Sequence, residues 1–124
     1  MADAPLVRAP FALSESPTEP ELVGKYFRGL GDPTRVRILE LLGEHDELSV
    51  TDLVERLSQS QPMVSNHLAC LRWCGFVHTR RDHPTVYYRV ADTRVSELLA
   101  LGRALLADNA EHVAACRRID GAPC

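Results

Sequence analysis

Hydrophobic and polar positions along the chain change their period several times, and each change marks an element. In "ELVGKYFRGL", Leu22, Tyr26, Phe27 and Leu30 recur at helical spacing. In "GDPTRVRILELLG", Asp32 is placed to cap and Pro33 fits a first turn. Val36, Ile38, Leu39, Leu41 and Leu42 then give a broad apolar face, ended by Gly43. After the acidic "EHDE", Ser49 and Asp52 make a capping-box-like start to "VTDLVERL", which offers Val50, Leu53, Val54 and Leu57 to a core. Three polar residues, "SQS", lead to a second helix predicted from Gln61 to about Cys74, with Ser60 as cap and Pro62 in its first turn. Two short helices joined by a tight polar turn, the second polar at its front, spell a helix-turn-helix.

The period then shortens. "FVHTRR" and "TVYYRV" flank "DHP" and predict a β-hairpin with a basic tip. In "DTRVSELLALGRALLADNAEHVAAC", Asp92 is the expected cap, and Val95, Leu98, Leu99, Gly102, Leu105, Leu106 and Val113 form one stripe. A helix of about 24 residues is about 36 Å long, more than a domain of this size covers alone. The stripe therefore predicts a partner subunit, most simply a two-fold homodimer through the N-terminal and long C-terminal helices. The expected fold is mainly α with a β-hairpin wing, a winged helix-turn-helix. Residues 1–19, with Pro5, Pro10 and Pro17, are expected to form a flexible tail. Residues 20–116 are expected to form the DNA-binding and dimerisation domain, and 117–124 a C-terminal tail.

A chain of 124 residues fits one such domain. No apolar run approaches the roughly 20 residues of a membrane span, and the N-terminal stretch is a poor export signal, so a cytoplasmic protein is expected. The net charge of -3 argues mildly against indiscriminate nucleic-acid binding. Its distribution matters more, because Arg72, Arg80, Arg81 and Arg89 cluster downstream of the acidic segments. Gln59, Ser60, Gln61, Ser65, His67 and Arg72 are candidates for base or phosphate contacts, with Arg80, Arg81 and His83 on the wing. The competing reading is that these polar side chains only solvate exposed surface.

Four cysteines change the picture again: Cys70, Cys74, Cys116 and Cys124. In a reducing compartment they point to metal or redox chemistry, with packed thiols as the alternative. In "SNHLACLRWCG" the core direction is set by Val64, Leu68 and Leu71. Cys70 and Cys74 then lie about 40° apart on the helix flank, at about 100° per residue. Neighbours at i and i+4 on a helix, two thiolates there are able to chelate one soft ion. Arg72 and the wing arginines are expected to lower the thiol pKa values. Trp73 is read as packing, and His112 as either an extra ligand or a solvated helix residue.

"LGDPTRVRILELL", "LSVTDLVERLSQSQPMVSNHLACLRWCGFV" and "YYRV" together resemble the ArsR/SmtB family of bacterial metal-responsive repressors. The resemblance spans roughly residues 21–116. It implies a winged-helix homodimer that binds double-stranded operator DNA when ligand-free and releases it on binding an inducer. One family metal site needs two thiols where "ELSVTDL" has Ser49 and Thr51. Another needs imidazoles where Asp92, Arg94, Leu105 and Asp108 stand, so both are expected to be absent. The CmtR-type cadmium- and lead-sensing members carry a pair like Cys70 and Cys74 and a third cysteine at the position of Cys116. That resemblance implies Cd(II) or Pb(II) as inducer, with Zn(II), As(III) or Hg(II) still open, and favours Cys116 arriving from across the dimer. Cys124 is an alternative or additional ligand. A thiol-based As(III), Hg(II) or redox-responsive repressor of the same fold stays open, as does a non-regulatory metal-binding protein. No segment gathers a nucleophile, a base and an oxyanion site, so an enzyme is not expected.

Overall fold

The computed structural model describes residues 16–116. The expectations for the first fifteen residues, for the tail 117–124 and for Cys124 lie outside the described residues. The elements run α1 (Glu19–Leu30), α2 (Pro33–His45), β1 (Leu48–Ser49), α3 (Val50–Leu57), α4 (Gln61–Trp73), β2 (Val77–Asp82), β3 (Thr85–Val90) and α5 (Thr93–Ala115). The architecture is a winged helix-turn-helix, mainly helical, with a small antiparallel sheet as the wing.

Local side-chain chemistry starts most helices where it was expected. The Asp32 carboxylate accepts the Thr34 and Arg35 backbone N–H groups at 2.8 and 3.2 Å. Ser49 and Asp52 close a reciprocal capping box, and Ser60 and Asp92 cap α4 and α5. α1 begins at Glu19, earlier than Glu21, because Thr18 and Glu21 form a second capping box with Pro20 in the first turn. α4 ends at Trp73 and makes Cys74 its cap. Gly75, at φ +82°, supplies the left-handed turn, and the Phe76 N–H returns to the Leu71 carbonyl at 2.9 Å. This closure swings the fully buried Phe76 under the helix.

The wing holds one strand more than the hairpin reading gave. β2 and β3 pair from Val77↔Val90 to Asp82↔Thr85, and β1 adds to the other edge of β3 through Leu48↔Tyr88 and Ser49↔Tyr87. Ile38, Leu39, Leu42, Leu53, Val64, Leu68, Leu71, Phe76 and Val77 are fully buried and join α2, α3, α4 and the sheet in one core. α5 contributes Val95 fully and Leu98 and Leu99 in part. From Leu101 to Ala115 it is exposed along its whole length, about 22 Å of helix at 1.5 Å per residue. Leu22, Val23, Phe27, Leu101, Leu105, Leu106 and Val113 stand out from α1 and α5 as exposed apolar side chains.

Candidate DNA-reading helix and thiol pair

α4 is fastened to α2 by two side chains at the front of α2. Thr34 Oγ1 accepts from Gln59 Nε2 at 2.9 Å, which fixes the turn of the helix-turn-helix. Arg35 Nε donates to His67 Nδ1 at 3.2 Å, which fixes the helix itself. The turn closes at Ser58, whose φ of +56° lies in the left-handed region. The "DPTR" segment thus does more than start a helix. Asp32 caps it, and Thr34 and Arg35 hold the DNA-reading unit in place.

That arrangement sorts the expected DNA-contacting residues. Ser60, Gln61, Arg72, Arg81 and His83 are exposed, and Ser65 is half-buried. Gln59 and His67 turn inward to Thr34 and Arg35, and the Gln59 Oε1 is buried without a partner. Arg80 reaches back across β3 at the base of the wing. Its guanidinium lies 4.7 Å from the Tyr87 ring centroid and makes two 2.8 Å bonds to the Glu47 carboxylate. This bond draws the Glu47 carboxyl below its usual range. Asn66, whose side chain also suits contact with nucleic acid, is exposed on α4, as is Met63, which the sequence did not mark. Both lie away from the Val64, Leu68 and Leu71 face.

At the other end of α4 lie the thiols. Cys70, Cys74 and Cys116 are free and each is half-buried. Cys70 and Cys74 are neighbours one turn apart, close enough for Cys70 to act on the ionisation of Cys74, and Cys74 packs on the core. Burial, chiefly, pushes the Cys74 thiol up. The neighbouring Cys70 adds to this, while the Arg35 and Lys25 charges oppose it. The expected lowering by Arg72 is therefore corrected. Burial outweighs charge at Cys74, and the cations that act on it come from α2 and α1. Trp73 is corrected too: it is 62% exposed and does not belong to the core or to the partly buried side chains packed on it.

The thiol of Cys74 meets α1 at Gly29, where an added Cβ would stand 3.3 Å from Sγ and 3.1 Å from Phe76 Cε2. Only a residue without a side chain lets the sulfur and the ring come this close. Cys116 follows α5, its N–H bonded to the Val113 carbonyl at 3.2 Å. Among the described residues no three His, Cys, Asp or Glu side chains of one chain gather into a metal-binding group. The donor set in one chain is thus two neighbouring thiols. It fits a soft ion as a partial site that needs a further donor from elsewhere or an ion content with two sulfurs.

A helix-turn-helix with an exposed polar front and a basic wing defines a DNA-binding regulator rather than an enzyme. Comparison with known proteins makes this specific. Residues 32–79 match the model of the "Bacterial regulatory protein, arsR family". The "Probable mercury resistance operon repressor" of Streptomyces lividans is 41% identical over 95% of this chain and 94% of its own length. The crystal structure of Rv0081 from Mycobacterium tuberculosis superposes with a TM-score of 0.71 at 35% identity, covering 81% of this chain and all of that one. The homodimeric winged helix-turn-helix domain of Mb0332 from Mycobacterium bovis gives 0.64 at 29% identity, over 73% of this chain and 82% of that one. The chain belongs to the arsR family of bacterial transcriptional regulators. Among the described residues no helix is long and apolar enough to cross a membrane.

Proposed function

We propose that this protein is a homodimeric repressor that senses a soft metal ion through Cys70 and Cys74. It binds operator DNA when metal-free and lets go when the thiols are occupied. The observation that carries the reading is the pair of free, half-buried and interacting thiols one turn apart at the end of the recognition helix. The exposed apolar stripes of α1 and α5 support the dimer, as does the homodimeric Mycobacterium bovis relative. Operator DNA meets the front of α4, with Ser60, Gln61 and Ser65 toward the bases, Arg72, Arg81 and His83 toward the backbone, and Gln59, His67 and Arg80 as supports.

The identity of the ion follows from how many thiolates it takes. Cys116 of the partner subunit, delivered by α5, completes a three-thiolate site of the kind suited to Cd(II) or Pb(II). Two thiolates suffice for Hg(II), and the near-full-length relative from Streptomyces lividans carries mercury in its name. In either case Cys70 and Cys74 give up their protons and act as thiolate donors, so uptake releases protons.

Mixed dimers test the ligand set. One protomer carries Cys70→Ser and Cys74→Ser, and the other carries Cys116→Ser. If the third ligand crosses the dimer, this pair retains one complete site, and thiolate-to-metal absorption with Cd(II) reaches half the wild-type amplitude. A third ligand from the same chain leaves no complete site and no such band. Titration with Hg(II), Pb(II), Zn(II) and As(III), and with Cys124→Ser, ranks the ions and assigns the last cysteine. Full metal uptake with operator affinity unchanged overturns the sensor reading.

A further inference from the structure

Three elements meet at one guanidinium. Arg35 stands in the first turn of α2, its backbone N–H held by Asp32 Oδ1 at 3.2 Å. Its Nε donates to His67 Nδ1 of α4 at 3.2 Å, and its Nη1 donates to the Gly29 carbonyl of α1 at 3.3 Å. Gly29 also lies against Cys74 Sγ, at the distance of 3.3 Å from the place a Cβ would take. One residue of α1 therefore touches the thiol and, through its carbonyl, holds the arginine. Cys74 and His67 stand seven residues apart in the same helix segment, about 10 Å along the axis.

A rod held at two points has a defined tilt. The two points here differ in kind. At Cys74 the contact is van der Waals packing of a thiol on a glycine, and it changes when the sulfur takes a ligand. At His67 the contact is one directional, charge-assisted hydrogen bond from a guanidinium rooted in α2, whose other bond goes to the Gly29 carbonyl. The sulfur is not itself a partner in that second contact, which reaches it only through Gly29. The His67 contact is also central: Gln61, at the DNA-reading front of α4, lies about 9 Å from His67 on the side opposite Cys74.

Given the sensor reading above, on which this rests, we propose that Arg35 is the positioning residue of the switch. Its bonds to Gly29 and His67 form the pivot about which α4 tilts when the Cys70–Cys74 end is pushed from α1. With arms of similar length, a displacement at the thiols appears at Ser60 and Gln61 with similar size and opposite sense. Without the pivot the same push slides the helix or is absorbed by slack, and the front of α4 keeps its angle to the operator.

The test compares wild type with Arg35→Lys, His67→Phe and His67→Asn. Lysine keeps the charge but carries its donors on a single nitrogen, so it lacks the fork that spans Gly29 and His67. Phenylalanine removes the acceptor, and asparagine replaces it with an oxygen near the place of Nδ1. Operator affinity is read by anisotropy with and without Hg(II) or Cd(II), and metal uptake by thiolate-to-metal absorption. Amide exchange of α4 is followed in the metal-free dimer. Wild type should show a ratio of operator affinities in the ordinary allosteric range of about 5–150-fold. The proposal expects that ratio to shrink roughly fivefold or more in Arg35→Lys and His67→Phe, with metal stoichiometry intact and α4 exchange faster without metal. It expects His67→Asn to restore the wild-type ratio. Arg35→Lys and His67→Phe dimers that take up metal and keep the wild-type ratio overturn the pivot alone. A wild-type ratio of one overturns the sensor reading and the pivot with it.

Discussion

Replacing Gly29 by alanine adds one methyl group at the joint between α1 and the thiol end of α4. The new Cβ would stand 3.1 Å from Phe76 Cε2 and 3.3 Å from Cys74 Sγ, both tighter than ordinary contact. The Phe76 ring has little room to retreat. It is fully buried and lies 4.3 Å, centroid to centroid, from the Tyr26 ring. Overpacking of this kind costs about 1–3 kcal/mol. Alanine returns up to about 1 kcal/mol as the better helix former, and less in a last turn. The expected net loss is about 1–2 kcal/mol. Urea unfolding followed by circular dichroism measures it, at one fixed protomer concentration because the stability of a dimer depends on concentration. The midpoint should fall with an unchanged slope. Phe76→Leu in the same chain relieves the crowding, so the two changes together should cost less than their sum. A Gly29→Ala protein that gains about 1 kcal/mol would refute the close packing of the thiol on α1.

Further expectations follow from other parts of the molecule. The Cys74 thiol is raised by burial. Above the ordinary thiol pKa of 9.0 the unfolded chain therefore loses its proton first, and fold stability declines as pH rises through the raised value. Below the ordinary value of 9.0 this contribution is fully present, and Cys74→Ser should flatten the alkaline limb of a stability-against-pH curve. Metal affinity runs the other way and rises with pH, because uptake displaces thiol protons; competition titrations at several pH values measure it. Ser58 occupies a left-handed position at φ +56° that suits glycine. Ser58→Gly should therefore leave operator binding intact and stabilise by about 0.5–1 kcal/mol in the same urea assay. Leu105 and Leu106, 58% and 45% exposed on α5, are expected at the subunit interface. Leu105→Glu with Leu106→Glu should yield monomers in sedimentation velocity and lose most operator affinity; a dimer that survives both changes refutes that interface.

Elements were legible where their causes are local. Ser49 with Asp52, Ser60 and Asp32 sit within three residues of the N–H groups they cap, so the starts of α2, α3 and α4 could be read directly. Features made by distant residues could not. β1 has only two residues and exists because Tyr87 and Tyr88 of β3 offer an unpaired edge. The Arg35–His67 and Thr34–Gln59 bonds join positions 32 and 25 residues apart, so the "DPTR" segment showed a helix start and a family motif but not its hold on α4. Arg80 had every mark of a phosphate contact until Glu47, 33 residues away, claimed its guanidinium. At the thiols, sequence neighbourhood misled in the same way. Arg72 lies two residues from each cysteine, yet the charges acting on Cys74 come from Arg35 and Lys25, across the joint with α1 and α2.

The account stands on one link, from the thiol pair to the DNA-reading front of the same helix. Anisotropy of a labelled operator, titrated with wild-type protein and with a Cys70→Ser/Cys74→Ser protein at saturating Hg(II) and then Cd(II), addresses it directly. The account predicts that metal weakens operator binding by wild type by about 1–3 kcal/mol, while the double variant binds the operator equally well with and without metal. Equal release of both proteins would contradict it, because the signal would then enter the fold somewhere other than Cys70 and Cys74.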